Sequence, residues 1–307
     1  MEGVNAAELL DCLKERNLLR GLSLAELRQA LAVLYHGFDA EPGLKIKPTD
    51  AGEPPGLWIE SGPVLPDRPD RPDRAVRPGR LVLFFHGGGF TVGSALDHTG
   101  LCGRLSLASQ SRVLSTEYRL GPEHPFPAAV EDCYAAYRWL LSQGQPAGRT
   151  ALAGISAGAT LVLTTLLLAK REGLALPAAA ACMSPVTDMR FPGASATGNA
   201  AHDWIIPERL AAIRQVYLGG HDPDDPLASP VRAGLGGLPP LILQVGQGEL
   251  LLDDNKILAA RLVEAGGEVD FQIWPGMFHC WQIFAPVLAE GGQALAAIGF
   301  FLDRRLG

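Results

Sequence analysis

Between Thr150 and Leu167 the chain reads TALAGISAGATLVLTTLL. A short apolar run, Ala151-Leu152-Ala153, meets Gly154-Ile155-Ser156-Ala157-Gly158, and a long run of helix formers comes next. Strand, sharp turn and helix in direct succession leave the backbone few paths, and G-x-S-x-G in that context throws its central side chain into a strained, exposed position. The flanks must be glycine because a Cβ there would collide with the strand or the helix. Ser156 is therefore a candidate nucleophile. A Gly/Ser helix start without chemistry shows the same short pattern, so the remaining sequence has to separate the two.

The surrounding pattern alternates strands and helices. Arg80–Phe85, Arg112–Glu117, Ala178–Met183, Leu241–Val245 and Val269–Trp274 read as strands, and helices are expected over 128–142, from the Asp253-Asp254 pair to Ala265 and from Gln293 to Arg305. Such alternation predicts an α/β fold with a mostly parallel sheet covered on both faces. Leu44–Ser61 adds two short strands around a Gly/Pro turn, and Asp67–Arg74, DRPDRPDR, reads as an exposed loop or polyproline segment. Near the N-terminus, leucines at three- and four-residue spacing predict two amphipathic helices parted near Gly21. Ser23 is the N-cap of the second and Glu26 completes a capping box. These helices suit either core packing or a flap over a site further along. Residues 189–218 lack a strand signal and become helical in their second half, as an insertion between two sheet strands would.

Composition narrows the function. A chain of 307 residues with 47% hydrophobic and 19% charged residues suits a soluble enzyme with a large core. The net charge of −7 and the absence of a basic stripe argue against nucleic acid as a partner. Five widely spaced cysteines with no CxxC pair suggest neither a zinc site nor a disulfide framework and fit a reducing cytoplasm. The N-terminus has no signal-peptide core, and the apolar stretches 161–169 and 174–183 are too short to span a bilayer. The His221–Pro226 run, HDPDDP, reads as a turn rather than a metal site.

Three further segments supply what a nucleophilic serine needs. The strand ending at Phe85 runs into His86-Gly87-Gly88-Gly89-Phe90, and glycines there let backbone N–H groups face a developing oxyanion. A rival reading takes Gly87, Gly89 and Gly93, with Glu117 as a ribose-binding acid, for a dinucleotide fingerprint; it explains neither GISAG nor the acid and histidine nearer the C-terminus. Beyond Gly248 the only histidine is His279, in a loop after the last strand, which satisfies the order nucleophile, acid, histidine. The acid is Glu249, directly after the strand–glycine turn, or Asp253; position favours Glu249, since Asp253 and Asp254 already enter a helix.

HGGGF, YRLGPEHPFPAAVED, GISAG, SPVTD, ELLLDD and PGMFH, in this order and spacing, resemble the hormone-sensitive-lipase-like serine esterases, and most closely a subset with a GTSAG-like elbow. The likeness covers roughly residues 40–305. It implies an α/β-hydrolase fold with a mostly parallel eight-stranded sheet, a helical cap, hydrolysis of small to medium, short-acyl carboxylic esters, and no cofactor or metal. It divides the chain into N-terminal cap helices (1–42), a first part of the core (43–188), a cap insertion (189–218) and a second part of the core (219–307). It also implies an oxyanion hole at the N–H groups of Gly88, Gly89 and Ala157, and the acid role for Glu249. A homodimer through the edge strand 268–274, which is apolar enough to need cover, is implied as well. Three departures stand out: Ile155 where the family commonly has aspartate, Glu249-Leu250-Leu251-Leu252-Asp253-Asp254 for DPLRDE, and His279-Cys280-Trp281 for HGF. Phe90, Trp204, Ile205, Ile206, Phe278 and Trp281 are the apolar residues expected at the substrate pocket or, equally, in packing between cap and core. Amide or carbamate hydrolysis on the same residues, and a non-catalytic receptor of the same fold, are the alternatives in function.

Overall fold

Leu81–Phe85 (β3), Thr150–Ile155 (β5) and Ala179–Met183 (β6) are buried along their whole length, as strands covered on both faces must be. They form the centre of a sheet in a computed structural model that describes residues 4–16, 21–36, 43–61 and 76–307. The DRPDRPDR run lies outside the described residues. Leu44–Pro48 (β1), Gly56–Ser61 (β2), Arg112–Thr116 (β4), Leu241–Gly246 (β7) and Val269–Trp274 (β8) complete eight strands in the order β1-β2-β4-β3-β5-β6-β7-β8. β1 with β2 and β2 with β4 are antiparallel, and every other pair is parallel. This is the α/β-hydrolase sheet.

Helices cover both faces. Ala128–Ser142 (α4), Ala157–Arg171 (α5) and Leu252–Glu264 (α8) bury Leu140, Leu163 and Leu258 against one side. Thr99–Ser109 (α3) and Ala289–Asp303 (α9) bury Leu105, Leu295 and Ile298 against the other. A Cβ on Gly299 of α9 would overlap Ala108 of α3, so that glycine sets how closely the pair approaches.

The helix α3 has no clear signature in sequence. It carries two glycines and is buried on most of its surface, so no polar face alternates with an apolar one. The last helix begins at Ala289 rather than Gln293. Gly291 and Gly292 suggest a later start on propensity, but Gly291 fits against Ala285 and Trp281, where a Cβ would stand 2.9 Å from the Trp281 carbonyl oxygen.

Ala6–Glu15 (α1), Leu24–His36 (α2), Ser195–Gly198 (α6) and Pro207–Leu218 (α7) lie outside the sheet layers. Ser23 and Glu26 form the reciprocal cap at the start of α2: the Glu26 N–H donates to Ser23 Oγ at 3.3 Å and the Ser23 N–H to Glu26 Oε2 at 2.8 Å. From α2, Arg28 donates to Thr91 O at 2.9 Å and pairs with both Glu123 oxygens at 2.7 and 2.8 Å. One helix is thereby tied to the loops after β3 and β4. No helix of the described residues is long and apolar enough to cross a membrane.

Candidate active site

Loops after β3, β5, β7 and β8 all leave the same edge of the parallel sheet, which brings four sequence-distant segments together. At the β5–α5 turn Ser156 has φ 54° and ψ −121°, a region a non-glycine residue adopts only when its surroundings impose it. The Ser156 N–H donates to Met183 O at 2.7 Å, and α5 begins at the next residue. A Cβ on Gly158 would overlap the Phe85 and His86 carbonyl oxygens, and one on Gly154 would overlap Gly158. The two glycines are thus what lets the helix leave the sheet at this angle.

His279 Nε2 stands 2.8 Å from Ser156 Oγ, and His279 Nδ1 stands 2.9 Å from Glu249 Oε2. Glu249, fully buried in the turn after β7, accepts at Oε1 from the Gly246 N–H at 2.6 Å and the Ser184 hydroxyl at 2.7 Å. A carboxylate facing Nδ1 keeps the proton there and leaves Nε2 as an acceptor toward the serine. Asp253 faces elsewhere. Its carboxylate accepts from the Ser195 N–H at 2.9 Å and pairs with Lys256 at 3.1 Å. The helical start of α8 points it at the 193–199 segment instead of at His279.

The N–H groups of Gly88, Gly89 and Ala157 donate to no protein acceptor among the described residues. Gly88 has φ 121°, and a Cβ there would overlap Val92 O, so the turn excludes any other residue. Two histidines hold this loop. His86 stacks on Tyr118 with centroids 4.1 Å apart and places Nδ1 2.8 Å from Gly87 O, while His98 Nε2 accepts from the Gly87 N–H at 3.3 Å. Burial depresses both, to about 3 for His86 and about 4 for His98, so both are neutral at neutral pH. Glu117 accepts from the Ala95 N–H at 2.9 Å and so braces the same loop.

Asp203, which sequence reasoning passed over, is the other fully buried carboxylate of the site. Its Oδ1 accepts from the His279 N–H at 3.0 Å and the Trp204 N–H at 2.8 Å; its Oδ2 accepts from the Leu250 N–H at 2.9 Å. One side chain thereby joins the histidine loop, the acid loop and the 189–218 segment. Three charge-assisted bonds at about 1.5–3 kcal/mol each oppose a desolvation penalty of several kcal/mol. Burial wins in part, with Glu249 nearby adding to it, and the carboxyl is pushed up to about 6. A lone acid within the apolar run Asp203-Trp204-Ile205-Ile206 was the available signal.

Burial also disfavours the His279 imidazolium, but Cys280 and Glu249 beside it outweigh that and hold it well above the ordinary histidine value. Burial likewise raises Cys280 above its usual range, and His279 beside it acts in the opposite sense.

Above Ser156 lies a half-open cavity of about 590 Å³, a figure that includes the solvent at its mouth. Gly88 and Gly89 line it with His279 and Ile155, and Leu31, Tyr35, Arg209, Leu210 and Ile213 of α2 and α7 roof it. Of the six apolar residues expected there, Trp204 and Ile205 do line it. Phe90, Ile206, Phe278 and Trp281 are not among its lining residues and fall instead to packing, the other of the two places expected for them. Phe90, at φ 60°, turns away to stack on Tyr217 with centroids 3.7 Å apart. Phe278 packs on Phe284 at 5.8 Å, Trp281 on Trp274 at 5.8 Å, and Ile206 sits at the start of α7. Ile155, the departure at the elbow, forms part of the cavity wall beside the nucleophile.

Comparison with known proteins agrees with this geometry. The alpha/beta hydrolase fold family matches residues 82–283. An acetyl-hydrolase of Streptomyces hygroscopicus is 46% identical over 237 residues, 76% of this chain and 79% of that protein. An esterase of Acinetobacter venetianus is 35% identical, over 72% of this chain and 74% of its own. Among solved structures, an esterase from the bacterial hormone-sensitive lipase family superposes with TM-score 0.90 at 39% identity and covers 98% of both chains.

Proposed function

The chain belongs to the bacterial hormone-sensitive-lipase-like serine carboxylesterases of the α/β-hydrolase fold, and we propose that Ser156, His279 and Glu249 carry its reaction through an acyl-enzyme. His279 Nε2 takes the proton from Ser156 Oγ as that oxygen bonds to the ester carbonyl carbon. The negative charge moves to the carbonyl oxygen, where the N–H groups of Gly88, Gly89 and Ala157 bind it. Collapse breaks the bond to the alcohol, which leaves with the proton held by His279. Water then attacks the acyl-enzyme with His279 again as base, and the acid is released. Glu249 holds the Nδ1 tautomer and stabilises the imidazolium.

The observation that supports this reading is the unbroken line from Glu249 Oε2 through His279 to Ser156 Oγ, at 2.9 and 2.8 Å, beside three N–H donors that have no protein acceptor among the described residues. The residues 1–42 and 189–218 serve as the cap, since α2 and α7 roof the cavity. Substrates are small to medium esters with short acyl chains. The acetyl-hydrolase among the relatives supports that preference.

A p-nitrophenyl ester series from acetate to laurate tests the reading. We expect the highest kcat/KM at acetate or butyrate and a loss of about tenfold or more by laurate, as each badly housed methylene takes its toll. A maximum at laurate would overturn the short-acyl preference. Matched kcat/KM on p-nitroacetanilide shows whether amides compete; we expect esters to be favoured by at least about 100-fold.

A further inference from the structure

The cavity roof is apolar apart from two side chains whose hydrogen-bonding capacity is largely unused. Arg209, on α7, has one side-chain bond among the described residues, from a terminal nitrogen to Thr91 Oγ1 at 3.2 Å, and no ion-pair partner. A guanidinium offers five N–H donors. Tyr35, on α2, is buried, and its phenol makes no hydrogen bond among the described residues. The two are near enough in space for each to influence the other's ionisation. No aspartate or glutamate lines the cavity, and His98, which does, is held neutral by burial. Among the described residues Arg209 is thus the one arginine or lysine that lines the cavity, on a wall without an acid and on the same cavity as Ser156. A purely apolar ester would bury a half-enclosed guanidinium against nothing that answers its charge.

We infer that Arg209, with the Tyr35 hydroxyl, forms a subsite for a carboxylate carried by the ester substrate. The guanidinium fork matches a planar carboxylate, and the phenol can donate to the same group. Arg209 is then a specificity-determining residue, acting on the choice of ester rather than on bond cleavage. The inference rests on the ester-hydrolase reading above, and it leaves open one source of the charge: the acyl side or the alcohol side of the scissile bond.

The test compares charged esters with neutral ones of like shape in a pH-stat assay at low salt. Monoethyl succinate against ethyl isohexanoate places the carboxylate on the acyl side; acetoxyacetate against isobutyl acetate places it on the alcohol side. In one of the two pairs the wild-type protein is expected to prefer the charged ester. Arg209→Met should lower that charged-to-neutral ratio of kcat/KM by about 10- to 100-fold, the usual loss for a charge-assisted contact. Arg209→Lys should restore part of it, and Tyr35→Phe should lower it by a few fold. The pair that responds identifies the side that carries the charge. Neutral esters favoured in both pairs, or ratios within about twofold of wild type in Arg209→Met, would overturn the subsite while leaving the esterase reading intact. Failure of the wild type to hydrolyse any of the four would overturn the esterase reading and the subsite with it. Unchanged melting temperatures of the variants separate lost recognition from lost folding.

Discussion

Glu249, in the turn after β7, and Asp253, in the first turn of α8, stand four residues apart, yet their surroundings give them different work. Glu249 is fully buried and meets His279 Nδ1, whereas Asp253 is bonded to Ser195 and Lys256. Glu249→Gln should therefore lower kcat by about 10³- to 10⁴-fold, because the amide no longer fixes the tautomer or answers the imidazolium. Asp253→Asn should change kcat by less than about tenfold; the reverse ranking would move the acid role to Asp253. The same pair sets the pH dependence. His279 acts as base only when neutral, and its neighbours hold it above 6.5. Activity is then lost as pH falls through that raised value, and the acid limb of kcat/KM has its midpoint above 6.5 in the wild type. Removing the Glu249 charge moves the limb to lower pH. A wild-type midpoint at or below 6.5 would contradict the arrangement.

The elements that cover the site are fastened by polar groups at the start of α8. Ser195 Oγ donates to Leu250 O at 2.9 Å, and Asp254 Oδ1 accepts from the Gly193 N–H at 3.0 Å. Asp254 Oδ2 has no hydrogen-bond partner among the described residues, and burial, with Asp188 and Asp253 adding to it, raises this carboxyl to about 7 from 3.8. An acid whose folded-state value is raised binds its proton more tightly in the folded than in the unfolded chain. Its ionisation in the fold therefore costs stability progressively between about pH 4 and pH 7, and the cost is constant above that. Asp254→Asn keeps the Gly193 bond and lacks the charge. The variant should melt about 2–6 °C above the wild type at pH 8, with the gap closing towards pH 4; a gap independent of pH would refute this origin. Such fastening explains what sequence could and could not disclose. Ser156, His279 and the glycine loop each leave a local imprint, because a strained turn, a strand end and a close backbone approach all dictate residue type. Arg209 leaves none, and Asp203 only a lone acid in an apolar run, since their partners come from segments far away in sequence. The side to which Phe90 or Trp281 points depends on loop dihedrals that no periodicity encodes, and α3 is hidden because it is buried nearly all round.

At the scale of the molecule, one sheet edge gathers the reacting groups and another stays open. Among the described residues β8 pairs with β7 on one side only, and Ile273 on it is 41% exposed. An unpaired, apolar edge strand invites pairing with a second chain, which supports a homodimer through residues 268–274. Light scattering at micromolar concentration should give twice the mass of the 32.6 kDa chain, and Ile273→Asp should shift it toward the monomer. A monomer mass for the unsubstituted protein would exclude this association. That hydrolysis passes through Ser156 is tested most directly by treating the intact protein with a serine-directed phosphonate and mapping the adduct by mass spectrometry. One adduct per chain is expected, on Ser156, with esterase activity lost in proportion, and neither adduct nor activity in Ser156→Ala. An adduct elsewhere that abolishes activity, or wild-type turnover by Ser156→Ala, would contradict the role of this serine.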